Sequence, residues 1–262
     1  MSNRNVYNKS SFIALQSIVI KEITRYFRIW VQTLLPPAIT MSLYFVIFGQ
    51  LIGARVGQMG GVSYMEYITP GIIMMSVITN SYSNVVSSFF SAKFQRNIEE
   101  MLVSPVPTLY ILLGYVFGGV SRGLLTGVIV TVVAAQFVDI AVTNWFILFF
   151  VLILTSMLFA TAGLVNAIFA KKFDDISIVP TFILTPLTYL GGVFYSIKLL
   201  PEFWQSVSLF NPILYMVNAF RYGFLGFSDI EITHALVLIS VFIVSLFSLA
   251  YYLLAKGVGI RS

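Results

Sequence analysis

The chain contains no cysteine and only one histidine among its 262 residues. Without cysteine it can form no disulfide, carry out no thiol catalysis and build no cysteine-ligated metal site. A zinc site needs several Cys, His or carboxylate ligands, so His234 by itself argues against one. The sequence also lacks a G-x-x-x-x-G-K-[ST] loop, the usual cradle for the phosphates of ATP. We therefore expect this chain to bind no metal and no cofactor of its own.

Charged residues are scarce as well, at 10% of the chain against 58% hydrophobic residues. Soluble domains are about one quarter charged, so this composition indicates a membrane protein. A helix that crosses the ~30 Å hydrocarbon layer needs about 20 apolar residues. Five or six such helices leave too little chain for a soluble catalytic domain, which usually needs roughly 100 residues. The net charge of +5 then matters through its placement around the spans, and nucleic-acid binding is not expected.

The charge-poor intervals predict an all-α polytopic membrane protein with six transmembrane helices. A further apolar stretch at 201–227 is broken near its middle by Asn211-Pro212, and a seventh span would move the basic C-terminus to the outside. We interpret it as a re-entrant helical hairpin on the outer face, because irregular backbone at membrane depth must be shielded by protein. The six spans are predicted at about 29–52, 66–91, 108–137, 144–170, 176–197 and 233–255.

Residues 10–28 have a different pattern, with polar and apolar side chains mostly on opposite helical faces. The polar face carries Ser17, Lys21, Thr24, Arg25 and Arg28, and the apolar face carries Phe12, Leu15, Val19, Ile23, Tyr26, Phe27 and Trp30. This pattern predicts an amphipathic helix that lies on the inner membrane surface. A signal peptide fits poorly, because the charges follow the short apolar stretch and no small-residue cleavage site is present.

The basic residues predict the orientation of the chain. Cytoplasmic loops of membrane proteins carry an excess of Lys and Arg. With a cytoplasmic N-terminus, 11 of the 15 basic residues face the cytoplasm, three face outside, and one lies within a span. Both termini are therefore expected in the cytoplasm. The inner set is Arg4, Lys9, Lys21, Arg25, Arg28, Lys93, Arg96, Lys171, Lys172, Lys256 and Arg261, the outer set is Arg55, Lys198 and Arg221, and Arg122 lies in the third span.

The pentapeptide GVSRG, residues 119–123, matches the G-x-S-x-G motif of serine hydrolases. That motif needs a strand–turn–helix setting and a histidine within hydrogen-bond reach of the serine. Here it lies inside a predicted span, and His234 is expected at the outer end of the last span. The glycines are expected to permit close helix packing rather than catalysis.

Polar residues form a stripe along one face of the second span and leave two interpretations open. Small polar residues are common where membrane helices pack, and they also line polar pathways. Asn80 and Asn84 are the strongest pathway candidates, because an amide is costly to bury without a partner. Arg122 either sits inside the membrane as a functional residue or extends to the cytoplasmic surface. The stripe consists of Ser76, Asn80, Ser83, Asn84, Ser87 and Ser91.

Residues 92–107 concentrate charge in an otherwise apolar chain. Residues 97–102 can form a short helix, which Pro105 and Pro107 would end. A simple solvated connector would need only a few polar residues, whereas a rigid helix that projects from two spans suits contact with another protein. Both interpretations remain open from composition alone.

In the segment 185–223, a pair of glycines after an apolar run is followed by Leu-Pro, a second proline about ten residues on, an aromatic residue and a basic residue six positions later. With this pattern the segment closely resembles the signature of the type-2 ABC exporter permeases. The stretches RIWVQTLLPP, SAKFQRNIEE and FAKKFDDISIVPTF extend this resemblance over essentially the whole chain. The matching signature residues are Gly191, Gly192, Pro201, Pro212, Tyr215 and Arg221.

This resemblance implies one transmembrane permease domain over residues 1–262, located in the bacterial inner membrane. It implies a homodimer that is not itself an enzyme and works with two copies of a separate ATPase subunit, which binds ATP and Mg. The resemblance further implies that 92–107 is a coupling loop that docks on this ATPase, and that 171–175 makes a second contact. The residues concerned are Arg96, Asn97, Glu99 and Glu100 in the first loop and Lys171, Lys172, Asp174 and Asp175 in the second.

The resemblance also implies outward transport, but it defines no substrate residue. Amphiphilic drugs, lipids and polysaccharides are all substrates of this family. The alternative is a secondary transporter or channel without an ATPase partner. A proton-coupled transporter is expected to bury acidic residues, and no acidic residue is predicted well inside a span here.

Overall fold

The computed structural model describes residues 2–259, and the side chains of residues 11–259. The described chain is mostly helical, with π-helical segments at Phe45–Ile52 and Pro180–Leu184 and a 3-10 turn at Ile197–Leu199. The α-helices are α1 (Ser2–Arg28), α2 (Trp30–Thr33), α3 (Leu35–Tyr44), α4 (Gly53–Val56), α5 (Tyr64–Phe94), α6 (Asn97–Val103), α7 (Thr108–Ala134), α8 (Trp145–Phe169), α9 (Asp175–Val179), α10 (Thr185–Leu190), α11 (Glu202–Leu209), α12 (Pro212–Leu225) and α13 (Ile232–Lys256).

Four helical segments are long and apolar enough to cross a membrane: Trp30–Val56, which joins α2 to α4, and α7, α8 and α13. The other two predicted spans fall short for different reasons. Helix α5 has 31 residues, but its polar stripe lowers its hydropathy. The segment Asp175–Leu190 is apolar but has fewer than the roughly 17 residues that a span needs. The structure therefore confirms a helical fold with four helices that are long and apolar enough to cross a membrane.

Helix α5 lies at the centre of the bundle and packs against both α7 and α8. Glycines make these contacts possible. A Cβ atom on Gly163 would lie 2.6 Å from the carbonyl oxygen of Tyr82, and one on Gly119 would lie 2.6 Å from Val85 Cγ2. The prediction that the GVSRG glycines permit close packing is thus confirmed. Ser121 lies within α7 and its hydroxyl donates to the carbonyl of Gly118 at 2.8 Å, an arrangement unlike a nucleophile elbow.

Helix α1 packs against α7 through a face that the sequence pattern did not identify. From residue 12 onward its buried side chains are Ile18, Glu22 and Tyr26, spaced four residues apart. The predicted apolar face shared only Tyr26 with this set, and Phe12 and Phe27 are exposed. Gly114 and Gly118 of α7 provide the space, because Cβ atoms there would lie within 2.6 Å of Ile18 and Glu22. The helix was correctly predicted, and the face that packs against α7 was not identified from the sequence.

Glycines also form the turns at the end of the bundle opposite α6. Helix α10 ends at Leu190, whereas the fifth span was predicted to reach residue 197, because Gly192 takes a φ of +69° and turns the chain. Helices α11 and α12 follow, separated by Phe210 and Asn211, within the stretch 201–227 that was predicted as a re-entrant hairpin. A two-stranded β-hairpin, β1 (Gln58–Met59) and β2 (Val62–Ser63), turns through Gly60 and Gly61, both at positive φ. This small hairpin was missing from the all-α prediction.

Candidate coupling surface and buried polar clusters

The loop after α5 contains the predicted short helix, α6. Arg96 joins the two helices with a φ of +63°, a left-handed conformation that is uncommon for a residue with a side chain. Ile98 is fully buried and anchors α6 to the bundle. Arg96, Asn97 and Glu100 are exposed and Glu99 is partly exposed. The loop therefore exposes its charged residues, while the buried Ile98 side chain anchors α6 to the bundle.

The second predicted contact, residues 171–175, is also an ordered turn. The Asp175 carboxylate accepts hydrogen bonds from the backbone N–H groups of Lys171 at 2.8 Å and Lys172 at 3.0 Å. These two bonds lower the pKa of Asp175, which lies just before the predicted span 176–197. The side chains of Lys171, Lys172 and Asp174 are exposed.

The structure brings these two loops together. Lys93 Nζ donates to the carbonyl oxygens of Ile168 and Ala170 at the end of α8. The ring of Phe173 lies 5.1 Å from that of Phe94, centroid to centroid. Burial and the nearby charge of Lys171 lower the pKa of Lys93, which lies beyond the predicted span 66–91. We define the coupling surface as Arg96, Asn97, Glu99, Glu100, Lys171, Lys172, Asp174 and Asp175.

Two exposed aromatic residues adjoin the coupling surface and were missed in the sequence. Phe94 is 61% exposed and Phe173 is 52% exposed. Large apolar side chains exposed at a charged surface are typical of protein contacts. Their position within charged loops, in AKFQRN and AKKFDD, is the signal that could have identified them.

Arg122 is buried inside the helix bundle, so it does not extend to the surface. Only 9% of it is exposed, and its Nη2 donates to Asn80 Oδ1 at 3.0 Å and to the carbonyl of Thr33 at 3.2 Å. Among the described side chains it forms no ion pair. Asn80 also donates to the carbonyl of Ser76. Two of the three pathway candidates therefore bind each other, and they connect α5, α7 and the segment that begins at Trp30.

The third pathway candidate, Asn84, belongs to a separate polar cluster beneath α1. Arg25 Nη2 donates to Asn84 Oδ1 at 2.8 Å and to its carbonyl at 2.9 Å. The fully buried Glu22 carboxylate lies 3.3 Å from Lys21 Nζ and 3.5 Å from Arg25 Nη2, and accepts from Ser88 Oγ at 2.6 Å. The sequence analysis missed Glu22. Its four-residue spacing from Ile18 and Tyr26 was the available signal.

Arg221 lies fully inside the protein, which corrects its predicted place on the outer face. Its Nη2 donates to the carbonyl of Gly192 at 2.6 Å, and its Nε donates to the carbonyl of Tyr67 at 3.4 Å. The guanidinium also lies 4.0 Å from the centre of the Tyr67 ring. The Tyr67 hydroxyl donates to Asp229 at 3.1 Å. Two of the predicted outer basic residues then remain, Arg55 and Lys198. The excess of basic residues on the predicted cytoplasmic side is unchanged.

The other signature residues shape the hairpin around this cluster. Gly191 lies against α12, where a Cβ atom would come within 2.9 Å of Ile213 Cγ2. Pro201 precedes the first residue of α11, and Pro212 is the first residue of α12, where a missing N–H costs nothing. Tyr215 donates its hydroxyl to the carbonyl of Leu209 at 2.8 Å. Every signature residue therefore supports the fold of residues 190–225.

Comparison with known proteins connects this architecture to a family. A family model described as ABC-2 type transporter matches residues 13–225. The inner membrane transport permease YadH of Escherichia coli (strain K12) is 59% identical over 251 residues, which cover 96% of this chain and 98% of that protein. Nodulation protein J of Rhizobium leguminosarum bv. trifolii is 27% identical over 218 residues, 82% of each chain. The chain therefore belongs to the ABC-2 type transporter family, as a membrane permease subunit of an ATP-binding cassette transporter.

Proposed function

We propose that this permease forms a homodimer in the bacterial inner membrane and exports a substrate with energy from ATP hydrolysis. The family implies an ATP-binding partner subunit, so ATP and Mg are expected on that separate chain and this subunit is not itself an enzyme. The Escherichia coli relative is named as an inner membrane transport permease, which supports the same location for this chain.

The proposed architecture is a single permease domain over residues 1–262 with the six predicted spans. Helix α1 lies at the cytoplasmic membrane surface, and α11 and α12 form the outer re-entrant hairpin. Both termini face the cytoplasm. The side chains of Arg4, Lys9 and Arg261 lie outside the described residues, so the support for this orientation comes from the basic residues between them.

The coupling surface is the observation that carries this proposal. Two loops that are 75 residues apart in sequence, represented by Arg96 and Lys171, form one charged and aromatic surface at one end of the bundle. Ile98 and the Lys93 hydrogen bonds hold this surface rigidly to α5 and α8. A rigid attachment is what a contact that transmits movement requires.

Helix α5 provides a route for this movement through the membrane. It joins α6 at one end and carries Tyr67 of the Arg221 cluster near the other, over a length of about 46 Å. Closure of the ATPase subunits would move α6 and, through α5, the outer hairpin. Shifting a two-state gate from 1:99 to 99:1 takes roughly 5.5 kcal/mol of differential binding. The substrate would pass between the two protomers.

Co-isolation and vesicle transport test the energy source. We expect the purified permease to retain an ATP-binding subunit, and vesicles with both proteins to transport only when ATP can be hydrolysed. The buried Glu22 is the one observation that favours a proton-coupled alternative, but it is already paired with Lys21 and Arg25. Transport driven by a proton gradient without ATP would contradict the proposal.

Cysteine labelling tests the orientation of the chain in the membrane. Because the sequence has no native cysteine, the maleimide can react only with the introduced thiol. We expect Lys172→Cys to react with a membrane-impermeant maleimide in inverted vesicles but not in intact cells. Glu202→Cys, on α11, is a matched exposed control and is expected to show the opposite pattern. Labelling of Lys172→Cys from outside intact cells would overturn the cytoplasmic assignment of the coupling surface.

A further inference from the structure

An open groove of about 660 Å³ lies between α1 and the end of α5. Three basic side chains line it from α1: Lys21, Arg25 and Arg28. The opposite wall includes Gln95 and Asn97, from the start of the coupling loop. We call this cavity the α1 groove.

The α1 groove has an excess of positive charge. The nearest carboxylate is Glu22, which is fully buried beneath Lys21 and Arg25 and does not line the groove. Arg28 forms none of the ion pairs found among the described side chains, and Arg25 Nε is buried without a hydrogen-bond acceptor. The acidic residues of α6, Glu99 and Glu100, also lie outside the lining. Three cationic side chains thus line the groove, and the carboxylate beneath them balances one of their charges.

The remaining polar groups suit the oxygen atoms of a phosphate. Thr24 and Ser91 line the groove with hydroxyl groups and Gln95 and Asn97 with amides, while the Ser17 hydroxyl already donates to the carbonyl of Ile13. Hydroxyl and amide groups can donate hydrogen bonds, and such bonds to an anionic oxygen are stronger than bonds between neutral groups.

Apolar residues on α1 favour a lipid over a soluble anion. Ile20 and Ile29 line the groove and are 54% and 40% exposed. Phe12, Phe27 and Trp30 are also exposed along α1 and the residues that follow it. A ligand with an anionic head and hydrocarbon tails would satisfy the basic and the apolar surfaces together.

We propose that the α1 groove binds the phosphate headgroup of an anionic lipid from the inner leaflet. Because Asn97 begins α6, a headgroup in the groove would connect α1 to the coupling loop and hold both in place. The lipid site itself depends only on the geometry and charge of this chain. Only its effect on coupling rests on the proposed transport function.

Lipid titration of the full-length purified permease tests the site without the ATPase. The readout is thermal stabilisation as phosphatidylglycerol, phosphatidylcholine with the same acyl chains, or inorganic phosphate is added. We expect stabilisation by phosphatidylglycerol at concentrations at least about tenfold lower than by phosphatidylcholine, since each basic residue near the surface strengthens anionic-lipid binding. Lys21→Gln combined with Arg28→Gln is expected to remove this preference.

The matched control is Lys171→Gln combined with Lys172→Gln, which removes the same charge from exposed residues outside the groove. We expect it to keep the preference for phosphatidylglycerol. An equal loss in both double variants would overturn the site, and so would equal stabilisation by the two lipids. Stabilisation by inorganic phosphate alone would overturn the lipid assignment. The single variant Arg28→Gln removes no ion pair, so a weaker lipid preference there cannot be attributed to unfolding.

Discussion

Arg221→Met is expected to leave little folded permease in the membrane. The substitution keeps a long side chain but removes the donors that satisfy the carbonyl oxygens of Gly192 and Tyr67. It also removes the cation from above the Tyr67 ring. A buried carbonyl left without its donor costs about 1–3 kcal/mol and a desolvated cation–π contact contributes about 2 kcal/mol, together a large share of a typical stability of about 5–15 kcal/mol.

The loss of stability is expected to be large because Arg221 connects three segments of the fold. Gly192 lies in the turn after α10, Tyr67 lies on α5, and Arg221 itself lies on α12, so one side chain ties three segments together. The Val193 backbone passes close to α5, where a Cβ atom on Gly71 would come within 2.6 Å of the Val193 carbonyl oxygen. Without Arg221, these two carbonyl groups lose the one side-chain donor that each has among the described residues.

Size-exclusion chromatography of the solubilised protein after heating measures this effect. We expect Arg221→Met to aggregate at a clearly lower temperature than wild type. Arg221→Lys is expected to aggregate at an intermediate temperature, because lysine keeps the positive charge but lacks the planar guanidinium group with its several donors. Arg55→Met is the control, since Arg55 is exposed and forms no ion pair among the described side chains. Wild-type behaviour of Arg221→Met would show that the cluster does not support the fold.

The sequence predicted the helices well because a long apolar run has few alternatives in a membrane. The boundaries of α7, α8 and α13 differ from the predicted spans by at most three residues. The fifth span was predicted too long because hydropathy continues through Gly191 and Gly192, whereas the positive φ of Gly192 ends the helix. Local backbone geometry was therefore the missing information.

Buried charges were predicted poorly, for a different physical reason. Counting basic residues by loop assigned Arg221 to the outside, because nothing in a single sequence reveals that carbonyl groups from residues 67 and 192 converge on it. Glu22 was likewise missed in the sequence analysis. Its burial depends on Gly114 and Gly118, almost 100 residues away, which allow α1 to approach α7.

The two loops of the proposed coupling surface were delimited from the sequence, but the contacts between them were not predicted. Charges and prolines indicated that 92–107 forms a distinct unit, and resemblance supplied its expected role. The contact between Phe94 and Phe173 and the bonds from Lys93 to the end of α8 required the structure. These contacts join the two loops, so disturbing one loop is expected to affect the other.

Reversing both charges of the coupling helix, with Glu99→Lys and Glu100→Lys, is expected to uncouple ATP hydrolysis from export. A charge at a docking contact that is paired and desolvated contributes about 2–5 kcal/mol. Two reversed charges would therefore remove most of the roughly 5.5 kcal/mol needed to shift the gate. We expect export to fall by at least about tenfold, since 1.4 kcal/mol already changes an equilibrium tenfold. Transport and stimulated ATPase activity in reconstituted vesicles measure this loss.

The control must separate docking from helix stability, because Glu99 and Glu100 also lie in the first turn of α6, where acidic residues favour the helix. Glu202→Lys combined with Glu231→Lys makes the same charge change at exposed positions at the opposite end of the bundle. Glu202 lies in the first turn of α11, so this variant carries a comparable helix penalty. Glu99→Gln combined with Glu100→Gln removes the charges without reversing them and is expected to lose less export than the lysine variant. The buried Ile98 side chain fixes α6 with its charged residues exposed, so a partner that docks on α6 would contact them. If the lysine variant kept full export and full ATPase stimulation while remaining inserted in the membrane, α6 would therefore not be the docking element.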